Sequence, residues 1–343
     1  MRKGDLVEDR TLGPAGFIFQ TTVRAKKGSQ VKGAHRATRI ATAMGQIGRI
    51  ARRRPEVMVK VTGSARGLRS LKEHLAYITR NGKLLGERES GELILGATNV
   101  RSVAEEWWAD CCRGRNARAR DTINLILSMP PGTDAKAVAD AASSFAQKTF
   151  GQDYEYLLAH HNQDSDPKRP ENPHAHLTVK TRGKHGQWLN PRKHDLQTWR
   201  EVFALELRER GVIAEATRRQ ARGVVRKSKR QAVLHLDARK GSRVTQWKLQ
   251  QAIKTVAAGT DQAAEAPWEQ AIHERQRKIR RAWNTLAAAF EAAGQAELAQ
   301  EIKQFVLAMP LAQTEREHFV SLARKLLEKQ QVPKQVRHRG QCR

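Results

Sequence analysis

Three hundred and forty-three residues suffice for roughly two domains of ~100 to 200 residues each, so a sizeable core can be buried and a miniprotein is excluded. Lys and Arg number 63 against 35 Asp and Glu, and the resulting charge of +28 self-repels unless a polyanion such as nucleic acid is the usual partner. A hydrophobic share of 39% excludes a purely disordered basic tail.

Cys111 and Cys112 are adjacent and Cys342 lies in the last residues, which implies no disulfide framework and a reducing compartment. The first residues lack the apolar run of a secretory leader, and no stretch approaches the ~18 apolar residues of a membrane span. The expectation is a soluble cytoplasmic protein without a membrane segment.

In chain order, residues 1–54 carry many Lys and Arg, few acids and no sustained strand pattern, and read as a basic N-terminal arm able to order on phosphates. Glu56 to Thr62 predicts a strand, broken by Gly63 to Gly67 before a helix over Leu68 to Arg80 that Asn81-Gly82 ends. Glu92 to Leu95 predicts a short strand. Ser102 and Glu105 have capping-box spacing and predict a helix start there. Thr122 to Met129 predicts a buried strand closed by Pro130-Pro131-Gly132, and Thr133 a cap for an Ala-rich helix running to about Phe150.

Tyr154 to His161 and His174 to Lys180 predict two more strands, separated by a polar loop. Leu196, Trp199, Phe203 and Leu207 then recur at helical spacing until Gly211. This order predicts an α+β fold with a central, largely antiparallel sheet flanked by helices. Beyond about residue 215 the strands disappear. Amphipathic stretches at Ile279, Trp283, Leu286 and Phe290, at Leu298, Ile302 and Phe305, and at Phe319, Leu322 and Leu326 predict a C-terminal all-helical module, with Thr314 and Glu317 as a capping box. The domains expected are an arm at 1–54, a mixed domain at 55–215 and a helical region at 216–343.

His174 and His176 stand two apart on a predicted strand, so both imidazoles project from one face and can meet one ion. A third can come from the preceding strand, which closes on His160-His161; His161 is preferred, with His160 as competitor. Three neutral imidazoles leave a divalent ion its full charge and open positions, which suits polarising a phosphate oxygen. Mg²⁺ and Mn²⁺ are the candidates, with Mn²⁺ the better match to nitrogen ligands. Of three tyrosines, Tyr154 and Tyr156 lie in a strand where aromatics usually pack, whereas Tyr77 is on a helix with Arg80 and Lys83 just beyond it.

These segments resemble the plasmid mobilisation relaxases, the HUH endonuclease superfamily with MobP-like, VirD-type mobilisation nuclease domains. The resemblance runs through VTGSARGLRSLKEHLAYITRNGKL, INLILSMPPGT, YEYLLAHH, NPHAHLTVK and LNPRKHDLQTWREVFALELRERGV, over roughly residues 56–218. Tyr77 precedes His174, the order of relaxases rather than of rolling-circle replication initiators. The resemblance implies that Tyr77 is the nucleophile, that His161, His174 and His176 hold the divalent ion, and that one strand of an origin of transfer is nicked through a 5′-phosphotyrosine intermediate. Implied partners are single-stranded and supercoiled origin DNA, an accessory relaxosome protein, a coupling protein and a type IV secretion system.

The sequence departs from the family where an acid usually follows the first histidine by two positions: Gln163 stands there, and Asp164 is the candidate assisting acid. Arg66, Arg69, Arg80, Lys83, Arg192 and Lys193 are candidate phosphate contacts. Trp188 is a candidate for base stacking, while Trp199 fits the core. Two readings of other classes remain open at this point: a non-catalytic nucleic-acid-binding protein with structural histidines, and a metallohydrolase that forms no covalent adduct.

Overall fold

The computed structural model describes residues 45–111, 119–161, 172–225, 231–239, 241–261 and 266–331. Their contacts divide them into two compact units that meet in sequence between Thr217 and Arg218. In the first unit the alternation of Val57, Val59 and Val61 with Met58 and Lys60 becomes the edge strand β1 (Met58–Ala65). It joins β2 (Gly86–Arg88), β3 (Leu93–Ile94), β4 (Thr122–Ser128), β5 (Tyr156–His161) and β6 (His174–Lys180) in a sheet of order β1-β4-β6-β5-β2-β3. Every pairing is antiparallel.

Helices cover both faces. On one, α3 (Ala135–Phe150) and α4 (Lys193–Glu209) bury Phe145, Phe150, Trp199 and Phe203 against Val59, Leu125, Leu127, Leu177 and Val179. Phe145 meets Phe150 and Phe203 edge-on at 6.1 and 6.0 Å, the arrangement that the ring quadrupoles favour. Each such ring contributes about 1.5–3 kcal/mol through burial. On the other face, α1 (Gly67–Ile78) and α2 (Ala97–Cys111) bury Leu71, Leu75, Ile78 and Trp107 against Ala65, Leu157 and Ala159.

The strand break read at Gly63 is a β-bulge. Val61 pairs with Leu125 while Gly63 pairs with Asn124, so Thr62 is the additional residue and the strand continues to Ala65. The slip exchanges the two faces: Val59 and Val61 lie on the α3 side, but Ala65 lies on the α1 side and joins its core.

Three local expectations are corrected. Helix α2 begins at Ala97, directly after Gly96 at φ +89°, and Ser102 is interior, its hydroxyl donating to the Thr98 carbonyl. The cap of α3 is Asp134, which accepts from the Lys136 amide, while the Thr133 hydroxyl donates to Pro130. Residues 45–51, counted with the basic arm, form a helical segment that buries Ile47, Ile50 and Ala51 and pairs Arg49 with Glu215.

The second unit is helical: α5 (Gln231–Arg239), α6 (Arg243–Ala257), α7 (Pro267–Ala292), α8 (Ala296–Leu307) and α9 (Glu315–Gln331). Trp283 of α7 packs on Phe305 of α8 at 5.0 Å and its indole N–H donates to the Ala221 carbonyl. The capping box at Thr314 and Glu317 is reciprocal, with the Thr314 amide donating to the Glu317 carboxylate and the Glu317 amide to the Thr314 hydroxyl. Helix α9 buries Phe319, Val320 and Ala323 against α6, so the stripe expected through Leu322 and Leu326 is displaced and those two leucines are exposed. No helix among the described residues is long and apolar enough to cross a membrane.

Candidate active site

Cross-strand register assembles the site. Met58 of β1 lies opposite Ser128 of β4, Ser128 opposite His174 of β6, and His174 opposite His161 of β5, one row across four strands. The next row on that face is Lys60, Ile126, His176 and Ala159. His161, His174 and His176 therefore share the α1 face, with ring centroids 5.2, 4.6 and 5.2 Å apart. One nitrogen from each lies within 4.8 Å of the others, and the three are buried or half-buried.

The hydrogen bonds around the rings suit a cation. His161 Nε2 donates to the Ile78 carbonyl at 2.6 Å, and His174 Nδ1 donates to the Asn172 carbonyl at 2.9 Å. A neutral imidazole that donates from one nitrogen carries its lone pair on the other, so backbone carbonyls orient these rings as they do in metal centres. His160 is turned to the opposite face. Its Nε2 lies 3.3 Å from Ser143 Oγ of α3 and 3.9 Å from Glu87, a partner that holds the Glu87 carboxyl below the usual range.

Tyr77 occupies the last turn of α1, directly before the residue whose carbonyl holds His161. Its ring meets His176 edge-on at 5.8 Å and is 41% exposed. The Arg80 guanidinium stands 5.9 Å from the ring centroid, within cation–π range. The other tyrosines pack. Tyr156 is buried and donates to Gln147 Oε1 at 2.9 Å, and burial raises its phenol pKa; burial also raises that of Tyr154, which packs on the core.

The turn after α1 uses unusual backbone. Arg80 and Asn81 have φ of +53° and +58°, and Gly82 follows at +77°. A Cβ at position 82 would lie 2.3 Å from the Gly96 backbone, so only glycine allows the chain to cross the entry to α2 there.

The expected phosphate contacts do not all gather here. Arg80 and Lys83 flank the triad end of α1, whereas Arg66 and Arg69 sit at its start, where Arg69 pairs with Glu73. Arg192 and Lys193 open α4, beyond the hairpin that follows the far end of β6, about 20 Å of strand from His174. Trp199 is buried and Trp188 is exposed. Asp164 lies outside the described residues.

Two residues of this face were not singled out from sequence. Lys60 is exposed in the row of His176, and the alternation of Val57, Val59 and Val61 was the signal that could have found it. His74, one turn before Tyr77, shares a 3.0 Å hydrogen bond with Thr178 Oγ1, and its partner on a distant strand left no local signal.

Residues 77–212 match the family model described as "Relaxase: MobA/VirD2-like, nuclease domain". These residues are a VirD-type relaxase domain. The matched span starts at Tyr77 and takes in all three histidines of the triad. The T-DNA border endonuclease VirD2 of Rhizobium radiobacter is 28% identical over 192 residues, which cover 50% of this chain and 44% of that protein. The chain thus spans less than half the length of the curated relative it matches. The relaxase domain carries its triad on the central strands β5 and β6, with α1 presenting a tyrosine across it.

Proposed function

We propose that the protein is a site- and strand-specific DNA nickase and strand transferase, a relaxase that opens one strand at an origin of transfer of a plasmid or mobile element. The observation that carries this reading is the half-exposed Tyr77 ring set against His176 of a three-imidazole cluster, inside the span that matches the relaxase model. His161, His174 and His176 would hold a divalent ion, Mn²⁺ or Mg²⁺, and that ion when bound would supply positive charge to a scissile phosphate. The triad fits such an ion because carbonyls fix two of its rings with nitrogen lone pairs to offer.

In this mechanism the Tyr77 oxygen attacks phosphorus and forms a phosphotyrosine bond to the 5′ side as the phosphorus–O3′ bond breaks. The phenol proton leaves to solvent or to an assisting group, for which Asp164 is the candidate, and the departing 3′ oxygen takes up a proton. Bond energy is retained in the covalent link, so a 3′-hydroxyl can later reverse the step and reseal the strand. Arg80, beside the phenol, lies where a phosphate would approach. Lys60 and Lys83 add positive charge nearby, and Arg66, Arg69, Arg192 and Lys193 would hold more distant parts of the strand. The basic arm would extend that grip. An accessory relaxosome protein, a coupling protein and a type IV secretion system complete the proposed partners, and the bacterial cytoplasm the proposed location.

The test uses full-length protein, Mn²⁺ and a pool of random-sequence single-stranded oligonucleotides, and looks for an adduct that survives denaturation. Wild type is expected to capture a defined subset of sequences, Tyr77→Phe to bind that subset with nearly unchanged affinity yet capture none, and chelator to abolish capture. Product release without any adduct would favour a metallohydrolase, and binding without cleavage a purely DNA-binding protein.

A further inference from the structure

Strand β6 carries more than two imidazoles on the α1 face. Thr178, the next residue on that face after His176, is fully buried and pairs in register with Asn124 and Leu157. Its hydroxyl shares the 3.0 Å hydrogen bond with Nε2 of His74. His74 in turn lies one helical turn before Tyr77, with the two rings 6.4 Å apart and tilted by 31°. The Tyr77 ring is thus flanked by His74 on its own helix and by His176 on the strand.

We infer that His74 is a positioning residue for the nucleophile, fixing the last turn of α1, and with it Tyr77, on the strand that bears His174 and His176. This rests on the nicking function proposed above. Tyr77 is 41% exposed, so its placement depends on the backbone that bears it as well as on its ring contacts. That backbone is tied to the sheet on either side of Tyr77, by His74 to Thr178 and by the Ile78 carbonyl to His161. The two ties add directional constraints to the burial of Leu75 and Ile78, which by itself holds the helix on the sheet without fixing its register. In-line attack tolerates little error, and a misplacement of about 1 Å can slow a reaction on the order of 100-fold.

His74 is a poor proton acceptor for this task. Burial pushes its imidazole down to about 4, so the ring is neutral at physiological pH and adds no positive charge beside a cation. Its part is the hydrogen bond, which an uncharged amide can also make.

The test uses the full chain, Mn²⁺ and an oligonucleotide of the sequence captured by wild type from the random pool. His74→Ala is expected to slow adduct formation at saturating oligonucleotide by about 10- to 100-fold while the dissociation constant changes less than about threefold. Thr178→Val should reproduce the defect, and His74→Gln should recover most of the rate without altering the shape of its pH profile. An undiminished rate in both His74→Ala and Thr178→Val overturns the inference. So does a His74→Gln variant as slow as His74→Ala, or a defect carried entirely by the dissociation constant. Should His74→Ala fail to fold, the comparison of Thr178→Val with wild type decides alone. Absence of any adduct from wild type removes the nicking function itself and this inference with it.

Discussion

His160 and His161 are neighbours in sequence and belong to different chemistry, because a strand turns successive side chains to opposite faces. His161 faces α1, in register with His174, while His160 faces α3, beside Ser143 and Glu87. Substitution separates the two roles. His161→Ala removes one of three nitrogen donors and is expected to lower Mn²⁺ affinity on the order of 100-fold, read by titration calorimetry or by the paramagnetic signal of unbound Mn²⁺. His160→Ala should leave that affinity within about threefold, since it disturbs only contacts across the sheet. Equal losses in both variants would show that the ion is not held by the triad. His174 and His176 were legible as a pair from their spacing alone. His74 was not, because its hydrogen-bond partner lies 104 residues away and only the folded sheet brings the two together.

The turn from Arg80 to Gly82 links α1 to the strands beyond and lets the backbone pass close to the start of α2. Gly82→Ala places a methyl group against the Gly96–Ala97 backbone at a φ that side chains rarely adopt, and is expected to destabilise the domain by about 2–4 kcal/mol in denaturant titration. Asn81→Gly relieves a left-handed residue in the same turn and should change stability by less than about 1 kcal/mol in either direction. If Gly82→Ala is as well tolerated as Asn81→Gly, the close passage is not a constraint. In the helical unit, buried Glu269 accepts from Arg316 and from the Thr314 hydroxyl, and these bonds hold its carboxyl below the usual carboxylate range. A depressed folded value contributes stability above the unfolded carboxylate value near ~4.3, and that contribution disappears as pH falls through the folded value. The melting temperature of this unit should therefore drop more steeply in acid for wild type than for Glu269→Gln; superimposable acid limbs would rule out this link. Partial alternation made β1 legible, whereas β4, β5 and β6 were legible as short apolar, β-rich runs bounded by turn and loop residues, because helices on both faces bury successive residues. The bulge at Thr62 was hidden, since the glycine beside it reads equally well as a strand end. The start of α2 was hidden too, because Ser102 and Glu105 have capping spacing but lie inside a helix whose first turn is set by contacts between Gly82 and Gly96.

Across the whole molecule, a charge of +28 is consistent with any polyanion, and its distribution around the relaxase domain narrows the expectation. Lys60, Arg80 and Lys83 belong to the triad end of the α1 face, while Arg66 and Arg69 continue positive charge toward the start of α1. If these five cations each neutralise one phosphate of a single strand, the logarithm of affinity should fall with the logarithm of salt at a slope of about −3.5, roughly a 100-fold loss for a fourfold rise in salt. Chemistry at Tyr77 should respond differently. In the proposed mechanism the reacting phosphate of a bound strand would lie beside Tyr77 and the three histidines, where partial burial limits ionic screening, so the rate of adduct formation at saturating DNA should vary by less than about threefold over the same range. Removing divalent ions should reverse the pattern, stopping adduct formation while leaving the salt slope of binding nearly intact. Replacing Arg66 and Arg69 by Ala should reduce that slope by about 1.4 and leave the saturated rate unchanged, because the two residues stand at the opposite end of α1 from Tyr77. A saturated rate that falls in parallel with affinity in that double variant would place the two arginines in the reaction itself, and a flat salt dependence in wild type would mean that charge is not what holds the strand.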